Sequence, residues 1–161
     1  MADRTRSRCG RTSLKVHRML IIRKMNKEDF EPLCALLSDP VVMRFLEPPY
    51  SREQTNAFLQ AALSETPPVH GVERNGCLIG YVIYHPYEKS SMEIGWVLFP
   101  EYWGKGYASA LTRQMIDRAR SDGMTLVIEC DPRQEITKHI ARRNGFVFSE
   151  RRDGLDVYRL S

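Results

Sequence analysis

The residues best suited to chemistry lie in a glycine-rich loop within the stretch WVLFPEYWGKGYASALTRQM, residues 96–115. Gly104 and Gly106 permit a positive φ and a close approach of the backbone to a ligand. A helix that begins near Tyr107 leaves its first N–H groups without intrahelical partners, and its dipole favours negative charge there. The stretch therefore predicts a phosphate-binding loop, although a tight strand-to-helix turn without a ligand fits the two glycines equally well.

Two helices and a strand are predicted ahead of this loop. The segment MLIIRK, residues 19–24, predicts a strand, and Asn26 is the expected N-cap of a helix over residues 27–38. The segment VVMRFLEPPY, residues 41–50, contains a pair of prolines and is predicted to be a turn or loop. Residues 51–54, Ser-Arg-Glu-Gln, have the pattern of a capping box and open a second helix.

The rest of the chain predicts a hairpin at Asn75-Gly76, a helix from the glycine loop to Gly123, and a last hairpin at Asp153-Gly154. Between these lie the strand-like segments SMEIGWVLF and TLVIE and the helical segment QEITKHIARRNGF. This order of elements predicts a mixed, strongly twisted α/β sheet with flanking helices and one parallel βαβ step around the glycine loop.

The composition fits one globular domain, since the chain has 161 residues of which 42% are hydrophobic. No apolar run approaches the ~20 residues of a membrane span, and no secretory signal is evident. A cytoplasmic protein without membrane contacts is therefore expected. The four cysteines show no CxxC pair and the four histidines do not cluster with them, so no metal site is predicted.

The positive charge is concentrated in residues 1–18, which carry six basic residues and one acidic residue. The remaining residues, 19–161, have 18 basic and 19 acidic residues, a net charge of −1, which argues against nucleic acid as a partner. Residues 1–18 are interpreted as a basic, disordered extension, and residues 19–161 as a single domain. An over-long gene start, a solvated tail, an electrostatic arm and a transit peptide all remain open for the extension.

Two well-known phosphate modules fit the loop poorly. A Walker loop needs GxxxxGK[ST], and this string does not occur in the sequence. A dinucleotide fingerprint, GxGxxG, has Ser109 at its third glycine, although Glu129 ends the next strand where a ribose ligand is wanted. Too little chain follows that strand for a second mononucleotide-binding half.

The chain resembles the GNAT family of N-acyltransferases, whose pyrophosphate loop follows the pattern [QR]xxGx[GA]. The pattern falls on residues 103–108, with Trp103 in place of Gln or Arg. The stretch EIGWVLFPEYWGKGYASAL is similar to the branch that contains the ribosomal-protein N-terminal acetyltransferases. The fourth helix of that branch often reads NxxSxxxxxxxGF, and Gln134 and Thr137 stand where Asn and Ser are usual. The resemblance covers residues 19–161 and implies a GNAT fold with a splayed pair of parallel strands.

The resemblance implies acetyl-CoA as co-substrate. Its pyrophosphate is expected on the backbone N–H groups of the loop, and its pantetheine arm beside the splayed strand at Val97 and Leu98. Lys105 is placed to add charge near the phosphates, although a solvated loop lysine fits this residue equally well. A main-chain N–H near Leu98 is expected to polarise the thioester carbonyl. The cofactor-binding residues expected from the resemblance are Val97, Leu98, Trp103, Gly104, Lys105, Gly106, Tyr107, Ala108, Gln134 and Thr137.

The resemblance also implies direct attack of an amine on the thioester in a ternary complex. Glu93 is the expected general base, although it fits a carboxylate on the polar face of a strand as well. Cys130 lies near the expected cleft without the base and orienting group that covalent catalysis requires. Ala141 stands where many members have a Tyr that acts as general acid, so that role is not transferred.

The acceptor is expected to be a small amine or a protein N-terminal amine. The resemblance places its pocket between the segment MRFLEPPYS and the last hairpin, which makes Phe45, Glu47 and Tyr50 the candidate contacts. A packing or surface role fits these three residues equally well. The alternatives to an enzyme are a CoA- or nucleotide-binding module without chemistry and a nucleic-acid partner that binds through the basic extension. The oligomeric state stays open, with a homodimer as one option.

Overall fold

A computed structural model describes residues 19–161 as a seven-stranded mixed sheet with helices on both faces. The strand order is β1-β2-β3-β4-β5-β7-β6, and β4 and β5 are the parallel neighbours among otherwise antiparallel pairs. This architecture confirms the fold class expected from the sequence. The strands are β1 (Ile21–Arg23), β2 (Val69–Arg74), β3 (Cys77–Glu88), β4 (Ser91–Leu98), β5 (Thr125–Cys130), β6 (Val147–Arg152) and β7 (Leu155–Leu160).

The helices divide the hydrophobic core into two layers, one on each face of the sheet. One layer packs α1 to α3 against β2, β3 and the end of β4, and includes Leu33, Leu59 and Val97. The other packs α4 and α5 against the opposite face, and includes Leu111 and Ala141. The helices are α1 (Phe30–Leu37), α2 (Pro40–Met43), α3 (Arg52–Ala62), α4 (Tyr107–Ser121) and α5 (Glu135–Arg143), with 3₁₀ turns at Lys27–Asp29 and Pro100–Tyr102.

The parallel pair β4 and β5 separates part of the way along its length. The two strands pair from Ser91 opposite Thr125 to Glu93 opposite Val127, and no further. Strand β4 nevertheless continues to Leu98. The splayed strand pair that the sequence analysis expected is therefore present, and the gap between the strands opens towards the start of α4.

Two predicted boundaries need correction. The helix expected over residues 27–38 begins as a 3₁₀ turn, with Asn26 as its N-cap, and becomes α-helical at Phe30. The loop expected over residues 41–50 is wrong at its start, because α2 runs from Pro40 to Met43. The Asp39 side chain accepts a hydrogen bond from the Val41 N–H, and a Pro at the first helical position suits this N-terminal cap.

The interpretation of residues 1–18 as a disordered extension lies outside the described residues. Within residues 19–161, no helix has the length and apolar character needed to cross a membrane. The same part of the chain contains no group of three or more His, Cys, Asp or Glu side chains arranged to hold a metal ion.

Candidate active site

The glycine loop has the backbone geometry that an anion site needs. Gly104 and Gly106 have φ of 68° and 81°, and an added Cβ at either position meets no atom within 4 Å. Gly106 is the N-cap of α4, and no side chain caps this helix. The N–H groups of the first turn therefore point to open space, as in loops that bind pyrophosphate. The Trp103 N–H is an exception within the expected set, since it donates to the Pro100 carbonyl.

Trp103 fixes the loop to the end of β4. Its indole Nε1 donates a hydrogen bond of 2.8 Å to the Leu98 carbonyl. The family pattern has Gln or Arg at this position, so in this chain the side chain has a structural contact at the base of the loop. Lys105 and the rest of the loop are exposed, while Tyr107 and Ala108 are half-buried at the start of α4.

The gap between β4 and β5 offers main-chain N–H groups from β4. The Phe99 N–H bonds to the Ile79 carbonyl on β3, and successive N–H groups along a strand point to opposite sides. Those of Trp96 and Leu98 therefore point away from β3, into the part of the gap beyond the last β4–β5 pair. This is where the sequence analysis expected an N–H to polarise a carbonyl.

Both residues expected from the last helical segment reach this gap, Gln134 from the N-cap of α5 and Thr137 from its first turn. The cleft between the strands is lined by Gln134 and Thr137 together with Glu93, Val97 and Glu129. The Gln134 side chain also accepts a hydrogen bond of 2.9 Å from the Asp131 N–H, which holds the turn that leads into α5. The structure thus brings Val97, Gln134 and Thr137 together in one cleft, whereas the Leu98 side chain packs in the core.

Glu93 lies at the inner end of the cleft and is paired with a histidine that the sequence analysis did not select. His85 on β3 is directly opposite Glu93 in the β3–β4 ladder, and His85 Nε2 lies 3.1 Å from Glu93 Oε2. The hydrogen bond to Glu93 raises the pKa of His85 above 6.5, against the opposing effect of burial. The Glu93 side chain is 19% exposed, so the carboxylate remains accessible from the cleft.

A second carboxylate, Glu129 on β5, lines the same cleft. The Tyr87 hydroxyl donates to Glu129 Oε1, and burial together with this hydrogen bond raises the pKa of Tyr87 to about 12. Arg152 donates to Tyr87 as well as to Glu88. The sheet face beside the cleft therefore carries charged and polar side chains that are held in pairs by hydrogen bonds. Helices α1 to α3 cover the opposite end of this face.

The predicted acceptor residues lie together at the outer end of the cleft. Phe45 and Glu47 line an open cavity of about 410 Å³, to which Arg133 contributes from the turn after β5. The Arg133 guanidinium lies 5.0 Å from the Phe45 ring centroid. Tyr50 does not line the cavity, but its hydroxyl donates to Glu47, and this hydrogen bond is the main cause that raises the pKa of Tyr50 to about 12. Leu46 lines both this cavity and the cleft.

The other candidate groups are poorly placed for chemistry. Cys130 is buried, and burial is the main cause that raises the pKa of its thiol to about 11. A thiol rather than a thiolate is therefore present at neutral pH. Ala141 is fully buried, and the Tyr158 hydroxyl is held by Arg142 in the core on the other face. None of these three side chains lines the cleft.

The loop and the splayed strands together form the arrangement expected of an N-acyltransferase. Residues 19–147 match the family described as "Acetyltransferase (GNAT) domain". The chain therefore belongs to the GNAT acetyltransferase family. This membership confirms the resemblance, the class of enzyme and acetyl-CoA as the acetyl donor of that class.

One sequence relative and two solved structures illustrate what this chain is similar to. The chain is 29% identical over 139 residues, 79% of its length and 81% of the relative, to the uncharacterized N-acetyltransferase YnaD of Bacillus subtilis. A GNAT-family acetyltransferase from Bacillus anthracis has a TM-score of 0.78 at 23% identity, over 87% of this chain and 92% of that one. The spermidine N-acetyltransferase of Vibrio cholerae, solved with CoA and spermine, has a TM-score of 0.72 at 21% identity, over 87% and 92%.

Proposed function

We propose that this protein transfers the acetyl group of acetyl-CoA to a primary amine by direct attack in a ternary complex. The observation that carries the proposal is the gap between β4 and β5, which begins immediately after Glu93 and opens towards the uncapped start of α4. A donor bound along this gap has its phosphates at a loop of free N–H groups and its reactive end beside a carboxylate. The acceptor is a small amine or a protein N-terminal amine.

The proposed donor site uses main-chain groups more than side chains. The N–H groups of residues 104–108 hold the pyrophosphate, and Lys105 adds charge near it. Val97 and Leu98 on β4, with Gln134 at the N-cap of α5 and Thr137 on that helix, enclose the pantetheine arm. Trp103 supports the loop through its bond to the Leu98 carbonyl. When bound, acetyl-CoA supplies a thioester carbonyl for attack by the amine.

Glu93 is the proposed general base. Its carboxylate takes a proton from the acceptor ammonium, directly or through a water, so that the neutral amine can attack. The Leu98 N–H stabilises the negative charge that develops on the carbonyl oxygen. The departing sulfur leaves as a thiolate and takes its proton from solvent, which a thiol with a pKa of ~8.5 permits without a dedicated general acid.

The proposed acceptor site is the cavity lined by Phe45 and Glu47. This cavity joins the cleft at Leu46. Its lining includes two acidic side chains, Glu47 and Asp131, and two basic side chains, Arg44 and Arg133. Tyr50 acts on this site by holding Glu47 rather than by contact with the acceptor. An acceptor with an amine and a polar group near it fits a cavity of this mixed charge.

Ligand choice tests the proposal. We expect acetyl-CoA to raise the thermal midpoint, since a ligand at ~100 times its Kd stabilises a fold by about 2.7 kcal/mol, whereas NAD and a duplex oligonucleotide should not. Free CoA release should then be measured across diamines, amino acids and short peptides. Stabilisation by NAD alone would contradict the proposal. Stabilisation by acetyl-CoA with no release for any amine would favour a binding module without chemistry.

A further inference from the structure

The His85–Glu93 pair has geometry that goes beyond a surface contact. His85 Nε2 faces Glu93 Oε2 at 3.1 Å, and His85 Nδ1 faces the Pro86 carbonyl oxygen at 3.0 Å. Both partners are acceptors, whereas a neutral imidazole has one N–H donor. Only the imidazolium can donate to both, so the local structure selects the charged form of His85.

The titratable groups around His85 also favour its charged form. The titratable side chains near His85 are Glu93 on β4 and Glu129 on β5, and both carboxylates raise the pKa of His85. Tyr87, two residues along β3, donates to Glu129 and has its own pKa raised to about 12. Tyr87 therefore stays a neutral donor in the pH range in which His85 titrates.

The position of His85 indicates that it acts through Glu93. Glu93 lines the cleft between β4 and β5, whereas His85 does not. The bond from His85 occupies Oε2 of Glu93. No side chain or main-chain group among residues 19–161 donates a hydrogen bond to the second oxygen, Oε1. The carboxylate is thus held by one oxygen and leaves the other for a group in the cleft.

We propose that His85 is a positioning residue for acetyl transfer: the imidazolium holds one oxygen of Glu93 and so directs the other at the acceptor amine. This role rests on the proposed function of Glu93 as base. When His85 loses a proton, one of its two hydrogen bonds must be lost, and the hold on Glu93 weakens. The contribution of His85 to turnover is therefore greatest while the imidazole is charged.

A double-mutant cycle tests this role on an amine that the wild-type protein accepts. His85→Ala should lower kcat by ~10–100-fold, because a misplaced catalytic group costs about that much, and should leave the KM for acetyl-CoA unchanged. In the Glu93→Gln background the same change should cost less than ~2-fold, because the carboxylate that it positions is gone. His85→Gln, which keeps a neutral donor, should recover part of the loss. His70→Ala, a change of a strand histidine that does not line the cleft, is the matched control.

The pH profile separates positioning from a general loss of structure. Between pH 6 and pH 9, the ratio of wild-type to His85→Gln turnover should fall as pH rises through the pKa of His85, since only the wild type loses charge. Full additivity of the two substitutions, or wild-type kcat for His85→Ala beside an impaired Glu93→Gln, would overturn the role of His85 while leaving the proposed function intact. Wild-type kcat for Glu93→Gln would overturn both the role of Glu93 as base and the role of His85, although acetyl transfer itself would stand. If His85→Ala does not fold, the His85→Gln ratio and its cycle with Glu93→Gln decide the question.

Discussion

The two ends of the cleft are built from different parts of the polypeptide. At the proposed donor end, the loop at residues 103–108 presents main-chain N–H groups, and its side chains are mostly exposed. At the end that holds the proposed base Glu93, the cleft is formed with side chains from three strands, with His85 paired to Glu93 and Tyr87 to Glu129. A main-chain site tolerates many side chains but few changes of backbone conformation, whereas a side-chain site has the opposite sensitivity.

The difference has an energetic counterpart. Backbone donors at the start of α4 are fixed by the helix itself and do not titrate, so the donor end should bind its ligand over a broad pH range. The end that holds the proposed base contains the His85 imidazole, whose pKa is raised by its hydrogen bond to Glu93 and whose charge changes near neutral pH. Some substitutions and pH changes should therefore alter acetyl-CoA affinity without altering turnover, and others should alter turnover without altering acetyl-CoA affinity.

Glu93→Gln should have the largest effect. Glutamine keeps the size of the side chain and its contact with His85 but cannot accept a proton, so turnover should fall by ~10²–10⁴-fold while acetyl-CoA affinity is unchanged. Steady-state kinetics and calorimetric titration of acetyl-CoA measure the two quantities.

The pH dependence of this loss identifies its cause. Above the pKa of the acceptor, ~7.7–8.0 for an α-amine or ~10.4 for a lysine, free amine becomes abundant and the variant should partly recover. Equal loss at every pH would indicate a damaged pocket, and wild-type turnover at neutral pH with chemistry limiting the rate would exclude Glu93 as the base.

Gly106→Val should have the next largest effect, at the donor end. A side chain at a φ of 81° is strained, and it would occupy the open space that the pyrophosphate needs. We expect the Kd for acetyl-CoA to rise at least ~10-fold, equivalent to about 1.4 kcal/mol, in a protein that still folds. Gly123→Val is the matched control, because Gly123 has a φ of 68° and equally open surroundings but follows α4, far from the loop. Equal affinity of the two variants would place the phosphates elsewhere.

Features that depend on neighbouring residues in the chain could be predicted from the sequence, whereas contacts between strands could not. The glycine loop, the capping box at Ser51 and the turns at Asn75-Gly76 and Asp153-Gly154 depend on residues close together in the chain, and all are observed. Contacts across the sheet depend on strand register, which local patterns define poorly.

The His85–Glu93 pair is a clear example. The β3–β4 turn pairs Glu88 with Ser91, and an unbroken ladder from that point would place His85 opposite Ile94. A bulge between Pro86 and Glu88 shifts the register by one residue and places His85 opposite Glu93. Pro86 lacks the N–H that a regular ladder requires, so this proline was the available signal of an irregularity.

Cys130→Ala should have a small effect on catalysis. Cys130 is buried and its thiol has a pKa of about 11, so it does not supply a thiolate nucleophile at neutral pH. We expect turnover within about twofold of the wild type and a loss of about 1 kcal/mol of stability from the small cavity. A burst of CoA release that the variant abolishes would instead indicate an acyl-enzyme on this cysteine.

The smallest effects should be on thermal stability, and they should come from two histidines whose pKa values are shifted in opposite directions. The bond to Glu93 raises the pKa of His85, whereas burial and the charges of Arg118 and Lys24 lower the pKa of His70. His85 therefore adds stability that is fully present below ~6.5, its pKa in the unfolded chain, and is lost as pH rises through its folded pKa. His70 has the opposite sign: its stability is present above ~6.5 and is lost as pH falls through its lowered folded pKa.

Substitution of each histidine by Gln should reveal these signs in thermal unfolding. Relative to the wild type, His85→Gln should be more destabilised at pH 6 than at pH 9, while His70→Gln should gain relative stability as pH falls from 7 to 5. We expect changes in Tm of only about 1–3 °C, since both side chains are partly solvated and a domain of this size shifts ~2–4 °C per kcal/mol. Parallel pH trends in the two variants would contradict the charged His85–Glu93 pair, because a general loss of packing moves both in the same direction. Opposite trends would show that the fold favours the charged form of His85 and the neutral form of His70.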